Sequence, residues 1–138
     1  MRKKSDKAVI AFYDDQKRIL MQDRFGITHD KEQERGFFGG TIEPGESPEQ
    51  ALVRELQEEL NIHITAFEPL MTLKHFRDDE TYNEVHLFIG PLGIMLKDAK
   101  PLEGRGMKLF PLTELKHVKL GRTDKDIAST VEQYMGKL

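Results

Sequence analysis

The chain has 138 residues, 38% of them hydrophobic and 33% charged, which suits one domain built on one sizeable core. Lys and Arg number 21 against 24 Asp and Glu, a formal net charge of -3, so a broad basic face for nucleic acid is not expected. Cysteine is absent, which excludes a disulfide scaffold, a thiolate metal site and a cysteine nucleophile, and agrees with a reducing, cytoplasmic setting.

No secretory leader is expected, because the apolar run Ala8–Phe12 is short and ends at Asp14-Asp15. The longest apolar stretch, Val85 to Leu96, is broken by His86, Gly90, Pro91 and Gly93, so no membrane span is expected either. Lys7–Tyr13 is rich in β-formers and Arg18–Gln22 follows a polar turn, which predicts a hairpin. Phe25–Arg35 is polar and predicted to be a loop, followed by the glycine-hemmed segment Gly36–Glu43.

The clearest predicted helix runs over Ser47–Leu60. Ser47 and Gln50 have capping-box spacing, and Pro48 takes the first helical position, where its missing N–H costs nothing. Asn61 suits a left-handed C-terminal cap. Downstream, Ile62–Phe76 suits a strand. Glu84–Ile89 alternates, with Val85, Leu87 and Ile89 on one face, and Met107–Phe110 is a further short strand. Ile127, Ala128, Val131, Tyr134 and Met135 share a helical face over Asp124–Met135, with Thr123 as the expected cap. Strands around one internal helix, closed by a second helix, predict an α/β or α+β sandwich with a mixed sheet.

The internal helix carries Arg54-Glu55-Leu56-Gln57-Glu58-Glu59-Leu60. At about 100° per residue, Glu55, Glu58 and Glu59 fall on one side and Leu52, Leu56 and Leu60 on another. Carboxylates at i, i+3 and i, i+4 repel, so this face needs open water or a cation. Taken alone, it fits a solvated acidic face as well as a site for a hard divalent cation, which takes oxygen ligands. Gly39-Gly40, just upstream, permits close backbone approach and could bring carbonyls to the same point.

From Gly40 to Ile62 the chain reads Gly, five residues, Glu46, seven residues, Arg54-Glu55-Leu56-Gln57-Glu58-Glu59, one residue, Asn61-Ile62. This resembles the box of the Nudix hydrolases, the family that includes MutT, with pattern G-x5-E-x7-R-E-U-x-E-E-x-G-U. Its one departure is Asn61 in place of glycine, at a helix cap that Asn tolerates.

The resemblance implies a single domain over residues 1–138, with the box at 40–62, and an α/β/α sandwich around a mixed sheet. It implies hydrolysis of a nucleoside diphosphate linked to another moiety. Glu58 and Glu59 are then expected to ligate Mg²⁺ or Mn²⁺, with Glu55 a further ligand or the base, and the Gly39 carbonyl a backbone ligand. Arg54 is expected to orient a box carboxylate, and Glu46 to be structural. Glu103 is the candidate for an extra acidic ligand or base from a later loop, with Glu80 and Glu84 as weaker competitors. Arg24 and Arg35 are candidate phosphate contacts, and Phe37 a candidate for stacking on a base, alongside Phe38 and Phe76. The five histidines show no ligand spacing.

The expected substrate is a small nucleotide, a (d)NTP or an oxidised (d)NTP, because the chain is compact. ADP-ribose, nucleotide sugars and dinucleoside polyphosphates remain alternatives, as does a non-catalytic nucleotide-sensing module. A related isomerase class uses a cysteine that this chain lacks. RNA 5′-end processing is disfavoured by the charge, and a homodimer follows only from family habit.

Overall fold

The computed structural model describes residues 2–23, 35–93, 106–118, 120 and 122–137. Among these residues seven strands and two helices follow in the order β1 (Arg2–Tyr13), β2 (Arg18–Asp23), β3 (Arg35–Gly36), β4 (Phe38–Thr41), α1 (Pro48–Leu60), β5 (Glu68–Phe76), β6 (Thr81–Pro91), β7 (Gly106–Pro111), a 3₁₀ turn (Leu112–His117) and α2 (Arg122–Met135).

The strands form one mixed sheet. Its main order is β3-β2-β1-β6-β5, with β4 paired to β1 and β7 paired to β2. β1 and β6 run parallel from Arg2↔Thr81 to Tyr13↔Pro91, whereas β1–β2, β1–β4, β2–β3, β2–β7 and β5–β6 are antiparallel. The expected hairpin turn is clamped by Asp14, whose carboxylate accepts the N–H of Gln16 at 3.0 Å and of Arg18 at 2.8 Å.

Alternation along the strands builds two cores, because successive side chains point to opposite faces. Ala8, Ile10, Phe12, Leu20, Phe38 and Phe88 meet Ala51, Leu52, Leu56 and Leu60 of α1. Ala11, Ile19, Met21, Val85, Leu87 and Ile89 meet Ile127, Ala128, Val131 and Met135 of α2. The two helices therefore cover opposite faces, which is the expected sandwich.

Several boundaries differ from expectation; β6, for one, runs from Thr81 to Pro91, past both ends of the expected Glu84–Ile89. β1 begins at Arg2, because its charged first half is held by the parallel ladder to β6. The strand expected over Ile62–Phe76 begins only at Glu68, where pairing with Ile89 starts; Ile62 and Ile64 are instead buried anchors without strand pairing. α2 starts at Arg122, which puts Thr123 inside the first turn rather than before it. No helix among the described residues is long and apolar enough to cross a membrane.

Candidate active site

The site is built where β4 runs against α1. Ser47 and Gln50 form the full capping box, with Ser47 Oγ accepting the Gln50 N–H at 3.1 Å and Gln50 Oε1 accepting the Ser47 N–H at 2.9 Å. At the other end Asn61 adopts φ 55° and its N–H reaches the Gln57 carbonyl. These caps fix the length of the helix that carries the carboxylates.

Arg54 is the hub. Its Nε and one terminal nitrogen grip both oxygens of Glu46, at 2.8 and 2.9 Å, the forked geometry guanidinium suits. It also donates to Glu55 Oε1 at 3.0 Å and to the Thr41 carbonyl at 3.0 Å, and it lies 3.5 Å from Glu58 and 3.8 Å from Glu43. The Arg54 guanidinium, helped by the Glu43 backbone N–H, holds the Glu46 carboxyl down at about 2. Arg54 is raised in turn, first through Glu46. Among the described residues one cation, Arg54, faces four carboxylates here.

Glycine brings the strand close. A Cβ at Gly40 would lie 2.6 and 2.7 Å from the two carboxylate oxygens of Glu55. Gly39, at φ +141°, packs on β1, where a Cβ would overlap the Ala8 carbonyl and lie 2.7 Å from the Val9 Cα. The Gly39 N–H donates to Glu59 Oε1 at 3.0 Å, and Glu59 is only 7% exposed. A buried carboxylate is costly without such partners.

Glu55, Glu58, Glu59 and the Gly39 carbonyl are hard oxygen donors of the kind Mg²⁺ or Mn²⁺ takes. The missing Cβ at Gly40 is the space that the Glu55 carboxylate occupies. Among the described residues no three acidic or histidine side chains are gathered tightly enough to hold an ion. The Arg54 guanidinium lies against Glu55 at 3.0 Å and Glu58 at 3.5 Å. The donor set fits the metal in its chemistry, and Glu58, whose side chain is 60% exposed, is open to water.

A NUDIX domain family model matches residues 3–133. The chain belongs to the NUDIX domain family. It is 54% identical over 39 residues to an 8-oxo-dGTP diphosphatase of Proteus vulgaris, and 62% identical over 37 residues to one of Escherichia coli (strain K12). Those stretches span 28% and 25% of this chain, and only 35% and 29% of the relatives' own length.

Among solved structures, the E. coli ORF135 protein matches with TM-score 0.74 and 25% identity, covering 94% of this chain and 89% of that one. The MutT NUDIX hydrolase of Burkholderia pseudomallei shares the fold, with TM-score 0.73 and 21% identity, covering 92% and 97%. So does the NUDIX domain of Shewanella oneidensis NrtR, solved with ADP ribose, with TM-score 0.69 and 16% identity, covering 98% and 90%.

Other expected site residues of this NUDIX domain fall elsewhere. Phe37 does not offer a stacking face: it is 3% exposed and packed in the core under α2, because the sheet is covered on both sides. Phe38 is likewise fully buried, in the core under α1. Phe76 is 51% exposed and leans on Tyr82, with ring centroids 5.9 Å apart. Glu84 lies 3.6 Å from Lys3 and so belongs to a surface ion pair. Arg24 and Glu103 lie outside the described residues, and Arg35 is described only as backbone of β3.

One residue the sequence reading passed over is Gln22. It is buried at 3% exposure, and its Nε2 donates to the Phe37 carbonyl at 2.8 Å. A polar side chain at the end of an otherwise apolar strand, Ile19-Leu20-Met21, was the available signal.

Proposed function

We propose that this NUDIX domain is a divalent-cation-dependent pyrophosphohydrolase that cleaves the diphosphate linkage of a nucleoside triphosphate, oxidised forms included. The observation that carries the reading is the arrangement on a doubly capped helix: Glu55 lies against Gly40, Glu59 accepts the Gly39 N–H, and Glu58 stands 3.5 Å from Arg54. The short but high-identity match to two proteins named 8-oxo-dGTP diphosphatase supports the substrate class.

In this mechanism Glu55, Glu58, Glu59 and the Gly39 carbonyl would hold Mg²⁺ or Mn²⁺, which would supply charge neutralisation for the anionic diphosphate and a more acidic water. Glu55, or Glu103, accepts the proton of the water that attacks phosphorus. The P–O bond of the diphosphate breaks, leaving a nucleoside monophosphate and pyrophosphate. Arg54 contributes by holding the Glu55 carboxylate in one orientation, and the Gly39 N–H does the same for Glu59. Little covalent chemistry is asked of the protein beyond this positioning.

The test is Mg²⁺-dependent turnover across the (d)NTPs, 8-oxo-dGTP, ADP-ribose, nucleotide sugars and diadenosine polyphosphates, with Glu58→Gln in parallel. Cleavage of a triphosphate at its diphosphate, lost in Glu58→Gln, is the expected result. Preference for ADP-ribose or a nucleotide sugar overturns the substrate. Nucleotide binding without any cleavage overturns the hydrolase and leaves a sensing module.

A further inference from the structure

Gln22 ends the apolar run of β2, opposite Gly36 in the β2–β3 ladder and opposite Met107 in the β2–β7 ladder. By strand parity it shares the sheet face of Leu20, the face covered by α1. Phe37 sits between β3 and β4, so its peptide is outside the ladders on both sides. Its carbonyl is taken by Gln22 Nε2 at 2.8 Å, and its N–H points to Asp124 Oδ1 of α2 at a long 3.5 Å. Two residues on, the Gly39 N–H meets the buried Glu59 carboxylate at 3.0 Å. Gly39 has little freedom of its own, since it packs directly on the Ala8 carbonyl. A short, rigid path thus runs from the Gln22 amide through the Phe37 peptide to Glu59.

We propose that Gln22 is a positioning residue for Glu59: by fixing the Phe37 peptide it aims the Gly39 N–H, and through it the buried carboxylate. The inference rests on the proposed function insofar as Glu59 serves a cation. Partners outside the ligand shell that orient a ligand typically matter 10–100-fold in metal affinity.

The variant is Gln22→Met, which keeps the side-chain length and removes the donor. Two readouts separate this role from plain structural support. The first is hydrogen exchange and the ¹⁵N–¹H resonance of Gly39 in the metal-free protein, expected to exchange about tenfold faster in Gln22→Met. The second is Mn²⁺ affinity, from the paramagnetic resonance of free Mn²⁺, expected to fall about tenfold or more. Ile127→Val, a mild lesion in the core under α2, is expected to move neither.

The deciding comparison is Gln22→Met made in a Glu59→Gln background. If Gln22 acts through Glu59, the double variant binds Mn²⁺ no more weakly than Glu59→Gln alone. Additive losses, or an unmoved Gly39 amide, overturn the proposal. If wild type binds no Mn²⁺ while the Gly39 amide still responds to Gln22→Met, the hydrolase reading fails and the positioning of Glu59 stands. Should Gln22→Met not fold, Gln22→Leu, which also removes the donor without burying a charge, is put through the same measurements.

Discussion

The two faces of the sheet carry helices of similar length used in opposite ways. α1 spends its solvent side on polar geometry: a capping box, a left-handed Asn61 and an arginine bonded to Thr41 of β4, Glu46 of the preceding loop and Glu55 of α1 itself. α2 presents Ile127, Ala128, Val131 and Met135 to the second core, and its links to β5 are a 3.4 Å contact of Asp126 with His75 and one of Tyr134 with Glu68. Both helices bury an apolar stripe, so burial does not distinguish them. What distinguishes α1 is that strand β4 approaches it through two glycines, which lets backbone and carboxylates meet. Under the proposed function, one face supplies chemistry and the other supplies support.

That contrast breaks most visibly under paired substitutions. Glu59→Gln keeps an oxygen to accept the Gly39 N–H and removes the charge. Turnover is expected to fall by about 100-fold or more, with the thermal midpoint little changed. Ile127→Ala under α2 is expected to do the reverse. It empties a fully buried site and costs about 2–5 kcal/mol of stability, while the folded fraction keeps its turnover. Denaturant titration and kinetics on the same two proteins check both. If Ile127→Ala lowers turnover per folded molecule as much as Glu59→Gln does, the two faces are not separable.

The glycines sharpen the comparison within the α1 face. At Gly39 an added methyl meets backbone of β1 and inherits φ +141°, so Gly39→Ala is expected to cost about 1–3 kcal/mol of stability. At Gly40 the same methyl meets the end of the Glu55 side chain, which can swing away. Gly40→Ala is therefore expected to cost under about 1 kcal/mol while lowering turnover, because Glu55 is displaced. Melting curves beside initial rates distinguish the two, and equal stability losses would refute the assignment of what each glycine faces.

The same logic gives a smaller effect at the helix end. Asn61 holds φ 55° and accepts the Gln57 side-chain amide at 2.7 Å. Asn61→Ala is expected to cost about 1 kcal/mol, the penalty of a left-handed residue with a Cβ and no local bond. Asn61→Gly, which restores the family pattern, is expected to stay within a few tenths of a kcal/mol of wild type by urea titration. A wild-type-like Asn61→Ala would show that the cap carries no weight.

Much of this arrangement was legible in the sequence because it is local. Ser47, Gln50 and Asn61 specify α1 within a few residues of themselves, and the alternation of Val85, Leu87 and Ile89 marks the buried face of β6 without reference to its neighbours. What was not legible depends on distant partners. Nothing near Arg2, Lys3 and Lys4 announces a strand; β6, some eighty residues away, supplies the ladder. Phe37 looked available for a ligand because the sequence does not say that α2 closes over that face. Gln22 looked like a strand end, and only the approach of Phe37 shows its amide to be bonded. At the site, the residue types and the spacing of the carboxylates could be read from the helix alone. That Arg54 spans Glu46, Glu55 and the Thr41 carbonyl required the fold of the loop before α1.

The smallest expected effect concerns pH and the tie between that loop and α1. Glu46 is held at about 2 in the folded chain, against an ordinary 4.5, chiefly by its bonds from Arg54. A carboxyl depressed on folding binds fewer protons folded than unfolded. Its contribution is therefore complete above about 4.5 and is lost as pH falls from there toward about 2. Glu46→Gln removes that titration while preserving shape. The stability gap between wild type and Glu46→Gln, from urea titrations at a series of pH values, is expected to be constant from neutrality down to about pH 5. It should then narrow steadily on further acidification. The side chain is partly open to solvent, so salt should shrink the gap as well. A gap that stays flat into acid would mean that Arg54 gains its hold on the site from Glu55 and Thr41 alone, and that the loop before α1 is secured by its turn rather than by charge.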